Sequence, residues 1–126
     1  MRAYTVATTA VTLGVGRKWV DNVLSHHRVP GVLQEKQGIV RRVTPVGLLT
    51  LDLAITLVRS LAIPIAEGLE MAHRLIAARG TEIQLPGALS IRLRADVSAV
   101  ARDLENRLAR AVEMSPTPKR GRPRRK

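Results

Sequence analysis

The stretch YTVATTAVTLGVGRKWVDNVLSH, residues 4–26, decides how the rest of the chain is read. Thr5 is a favourable N-cap because its hydroxyl accepts from an otherwise free backbone amide, and it opens a helix predicted over Val6–Leu13. Gly14 closes that helix by entering the left-handed conformation without steric cost. After Gly14-Val15-Gly16 a second helix is predicted over Arg17–His26, with Val20, Val23 and Leu24 on one stripe and Arg17, Lys18, Asp21, Asn22 and Ser25 on the other. A helix-turn-helix needs a small residue where its helices cross, a turn glycine and an apolar anchor, and Ala10, Gly14 and Val20 supply them at spacings of 4 and 6. Leu13, Val15 and Val23 fill further core positions. The alternative is a generic two-helix corner with a solvated polar face.

On the helix-turn-helix reading, the outward face enters the major groove of DNA. Arg17 and Lys18 can donate to guanine or phosphate, and Asn22 can pair with adenine through two hydrogen bonds. Asp21 would repel phosphate and orient Arg17 or Lys18. Trp19 has two readings: packing under the hairpin that follows, or lying against a sugar-phosphate chain.

Pro30 forbids continuation of the second helix. Val32-Leu33, a polar turn at Gln34-Glu35-Lys36-Gln37-Gly38 and Ile39-Val40-Arg41-Arg42-Val43 read as a hairpin with a basic second strand and Lys36 and Gln37 at its tip. Thr44 as N-cap and Pro45 at the first helical position open a third helix to about Ala62, dense enough in apolar residues to be the buried centre. Ile63-Pro64 breaks it. A fourth helix, Ile65–Ala78, places Leu69, Ala72, Leu75 and Ile76 on one face and is expected to end at Gly80.

Beyond Gly80 the apolar period becomes two, with Ile83 and Leu85 before Pro86-Gly87 and Leu89, Ile91 and Leu93 after it, which suits a hairpin closed by a type II turn. From Asp96 to Glu113, Val97, Ala101, Leu104, Leu108 and Ala111 form a heptad seam about two repeats long. A lone hairpin and a lone short helix are each marginal in water, so this unit is expected to pack on the first domain or on a second chain, the second chain being favoured.

The chain has 126 residues, and its 21 basic against 10 acidic side chains leave a net charge of +11. Residues 1–42 hold seven basic and two acidic groups, residues 43–118 eight of each, and residues 119–126 six basic and none acidic. Two positive ends around a neutral body suit a protein that grips a polyanion at two points. No cysteine is present, so disulfides, thiolate metal sites and thiol nucleophiles are excluded. The greasiest run, Val46–Val58, is interrupted by Asp52 and too short to span a bilayer. His26, His27 and His73 have no spaced carboxylates that complete a ligand set or a triad, so no enzymatic activity, catalytic residue, metal or cofactor is expected.

Tyr4-Thr5, the turn Gly14, Arg41-Arg42 before Thr44-Pro45, and the joint Leu61-Ala62-Ile63-Pro64-Ile65 occur in an order that resembles the winged helix-turn-helix of the MerR superfamily and the related excisionase-type domains. The resemblance covers roughly residues 4–78. It implies a dimer on a roughly palindromic site, with the second helix in the major groove and a wing of Lys36, Gln37, Arg41 and Arg42 on the flanking backbone. The cysteines of the metal and redox sensors in that family are missing, and a hairpin with a short helix replaces its long dimerising helix.

Ser115-Pro116-Thr117-Pro118 leads into a basic tail in which Lys119, Arg120, Gly121, Arg122, Pro123 and Arg124 resemble an AT-hook. Glycine lets an extended Arg-Gly-Arg approach the floor of a narrow minor groove, where both guanidiniums meet the acceptors of A·T pairs. The plainer alternative is a polybasic segment that neutralises phosphates or serves as a targeting signal.

The expected architecture is therefore mainly α: a winged helix-turn-helix of four helices and a hairpin wing over residues 1–79, a hairpin and helix for dimerisation or partner binding over 80–114, and a disordered tail over 115–126. The expected function is a sequence-specific, double-stranded DNA-binding regulator, a repressor, acting as a homodimer in the cytoplasm on the nucleoid. Two other readings stay open: an antitoxin that represses its own operon and binds a protein partner through residues 81–114, and an architectural or excisionase-type protein that bends DNA.

Overall fold

In the computed structural model, which describes residues 2–34, 41–79, 82–85 and 91–114, five helices and two short antiparallel hairpins follow one another along the chain. Helix α1 runs over Val6–Leu13, and the Thr5 hydroxyl accepts from the Thr8 amide at its start. At its end Gly14 takes φ 70° and its amide reaches back to the carbonyls of Ala10 and Val11, so the chain turns at once into α2, Arg17–His26. Ala10 and Val20 are both buried where these helices pack.

Residues 27–31 lead from α2 into a hairpin whose strands β1, Val32–Leu33, and β2, Arg42–Val43, pair Val32 with Val43 and Leu33 with Arg42. Tyr4 adds a bridge on the far side of β2, exchanging two 2.8 Å backbone hydrogen bonds with Val43. The stretch before α1 is thereby stitched to the hairpin, a pairing that a two-residue strand does not announce in sequence. The hairpin tip, with Lys36 and Gln37, lies outside the described residues.

Gly31 joins these parts to α3, Pro45–Leu61. Its carbonyl accepts from the Thr44 amide at 2.9 Å and from the Thr44 hydroxyl at 2.7 Å, and the same hydroxyl accepts from the Gly47 amide at the start of α3. Gly31 has φ 94°, a conformation glycine adopts freely, and a side chain there would collide with the backbone of Gly47. As the apolar density of its sequence predicts, α3 is the centre of the molecule, with Leu48, Leu51 and Ala54 almost without exposure.

Ala62 ends α3 in the left-handed conformation, and α4, Ile65–Ala77, returns against it with Leu69, Ala72 and Leu75 buried. Gly68 lets the two backbones approach, since a Cβ there would stand 3.1 Å from the Ala54 carbonyl oxygen. Helix α4 ends at Ala77, one residue before the expected Ala78, and Arg79 just beyond it has positive φ; Gly80 lies outside the described residues. A second hairpin pairs β3, Ile83–Gln84, with β4, Arg92–Leu93, in antiparallel register. Its expected Pro86-Gly87 turn also lies outside the described residues.

Helix α5 spans Val97–Met114. Its seam is covered by its own chain: α5 packs against α1 and α3, burying Leu104 and Ala111. Arg107, beside that seam, bonds Asp52 of α3 through both terminal nitrogens, at 3.2 and 2.9 Å, and donates to the Thr12 carbonyl at the end of α1 at 3.2 Å. The pair explains why a carboxylate can interrupt the most apolar helix. Periodicity identifies the face that must be covered but not the surface that covers it.

Candidate nucleic-acid interface

Helix α2 separates its side chains cleanly. Val20, Val23 and Leu24 are buried, holding the helix on the core, while Arg17, Lys18, Asn22 and Ser25 are exposed and Asp21 is half-buried. The ion pairs among the described residues join Arg92 to Glu82 and Arg107 to Asp52 and Asp103, so no described carboxylate pairs with the cations of α2. Asp21 makes no ion pair with Arg17 or Lys18 among the described residues. Trp19 is 36% exposed and stands outside the apolar cluster of the core.

The last turns of α2 are pinned by their own backbone. The Ser25 hydroxyl donates to the Asp21 carbonyl at 2.8 Å, and the His26 Nδ1 lies 2.8 Å from the Asn22 carbonyl oxygen. His26, exposed one turn beyond Asn22, is a further polar side chain of this surface, and its position four residues after Asn22 was the signal in the sequence. From the hairpin, Arg42 is exposed and Arg41 half-buried. Lys119, Arg120, Gly121, Arg122, Pro123 and Arg124 of the basic tail lie outside the described residues.

His27 and His73 line one open cleft of about 220 Å³ with Arg28 and Glu70. Among the described residues no three His, Cys, Asp or Glu side chains are grouped so as to hold a metal ion, and no helix is long and apolar enough to cross a membrane. The surface of α2 can therefore offer hydrogen-bond donors and positive charge to an anionic partner.

Compared with known protein families, curated proteins and solved structures, the chain matches none of them.

Proposed function

We propose that the protein is a sequence-specific, double-stranded DNA-binding regulator of the winged helix-turn-helix type, a repressor that works as a homodimer. One observation carries the reading: α2 turns every large apolar residue but Trp19 inward and leaves Arg17, Lys18, Asn22 and Ser25 outward, with no carboxylate paired to the cations among the described residues. Such a face suits the major groove, where arginine and lysine donate to guanine and asparagine pairs with adenine. Arg41 and Arg42 act on the flanking backbone, Trp19 lies along a sugar-phosphate chain, and the basic tail anchors in an A·T-rich minor groove. Tethering two weak binders raises the effective concentration of each at the other's site.

The test is selection from a randomised duplex pool by the full chain and by a 1–114 truncation, with the solution mass of each. Enrichment of one palindrome by both forms, bound by a dimer, is expected. Enrichment of A·T-rich DNA by the full chain alone would replace this reading with the architectural one. Failure of either form to retain duplex DNA would reject DNA binding altogether, and co-purification with an unlinked protein would move the assignment to an antitoxin.

A further inference from the structure

We infer that His26 is a phosphate-binding residue of this interface and that it binds as the imidazolium, so that DNA association takes up a proton. The inference rests on the DNA-binding reading of α2 and adds to it a contact and a control.

A carbonyl oxygen can only accept, so the 2.8 Å contact with Asn22 makes the His26 Nδ1 a donor. In the neutral ring Nε2 is then a bare acceptor, which a phosphate oxygen repels. In the imidazolium both nitrogens donate: Nδ1 remains on the Asn22 carbonyl and Nε2–H is left for an anion, since it has no partner among the described residues. His26 also occupies the last turn of α2, where the carbonyl end of the helix favours a cation.

Position on the helix argues for phosphate rather than a base edge. In a helix-turn-helix complex the first turns of the second helix approach the bases. Lys18, Asn22 and His26 stand four residues apart on one stripe, so His26 is about 12 Å along the axis from Lys18 and nearer the wall of the groove. The charges around it are few. Helix α1, which packs on α2, carries no titratable side chain; α2 itself carries Asp21, Arg17 and Lys18. The following segment adds His27 and Arg28, whose cleft against α4 holds Glu70 and His73.

The full chain is titrated with its enriched duplex at about pH 6 and about pH 8. Affinity should be about tenfold higher at the lower pH, the scale of one charge-assisted hydrogen bond. His26→Ala should remove that difference, whereas His27→Ala and His73→Ala should keep it. His26→Gln, whose amide donates at any pH, should bind equally at both. Parent affinity that does not change with pH, or pH dependence that survives His26→Ala, overturns the inference while leaving the DNA-binding reading intact. No duplex binding at either pH overturns both.

Discussion

Arg107 and Asp52, 55 residues apart in sequence, face each other through two parallel contacts, and the same guanidinium closes on the Thr12 carbonyl. Three helices meet at that one side chain. The hydrogen bond with Asp52, more than any other influence, raises the Arg107 pKa above the ordinary arginine range, against the opposing effect of burial. Arg107→Ala would leave the buried Asp52 carboxylate uncompensated. The Arg107 side chain is 31% exposed, so the loss should be about 2 kcal/mol, below that of a fully buried pair. Urea denaturation of the two single variants and of the double variant with Asp52→Ala should give a coupling of about 1 kcal/mol; simple additivity would show that the contact does not stabilise α5. Because the pKa is raised in the folded state, this contribution is complete below the arginine range and lost only above it. Raising the pH from about 7 to about 10 should leave it unchanged.

Gly31→Ala tests the junction between α2, the first hairpin and α3. At φ 94° a Cβ would fall 2.7 Å from the Thr44 hydroxyl and into the Gly47 backbone. The expected loss is more than about 3 kcal/mol, read from the urea midpoint. A midpoint within experimental error of the parent would mean that the junction yields freely.

Leu104→Ala tests which surface covers the α5 seam. With Leu104 buried in the core of its own chain, its truncation should lower stability by about 2–4 kcal/mol. The difference between variant and parent should be the same in dilute and concentrated protein. A difference that changes with concentration would show that the seam is covered by a second molecule.

Arg17→Ala combined with Asn22→Ala should reduce the preference for the enriched duplex, about three decades for a specific regulator, to that of random DNA, while weak, salt-sensitive binding persists. Both residues are exposed, so the melting temperature should hardly move. A footprint identical to the parent's would reject α2 as the reading surface.

The parts of this fold legible in sequence are those governed by neighbours. Thr5 and Gly14 delimit α1 because a cap is a contact within one turn, and Thr44-Pro45 announces α3 for the same reason. The outward face of α2 follows from period alone. What was not legible depends on partners distant along the chain. Asp52 reads as an interruption of an apolar run until Arg107 is placed beside it, and the heptad seam of α5 reads as an invitation to a second copy until α1 and α3 occupy it. Tyr4 shows no sign of pairing with Val43, because one bridge leaves no alternating pattern. The backbone hydrogen bond that fixes the His26 ring cannot be seen in a string of letters.

The 95 residues that separate Thr12 from Arg107 also bear on how the molecule is made. During synthesis α1 leaves the ribosome well before the helix that covers one of its flanks. Until α5 emerges, α1 and α3 present an uncovered apolar strip, and the nascent chain must hold it without its natural lid. Closure of so long a loop is slow compared with the growth of any single helix, so the docking of α5 should set the pace of folding.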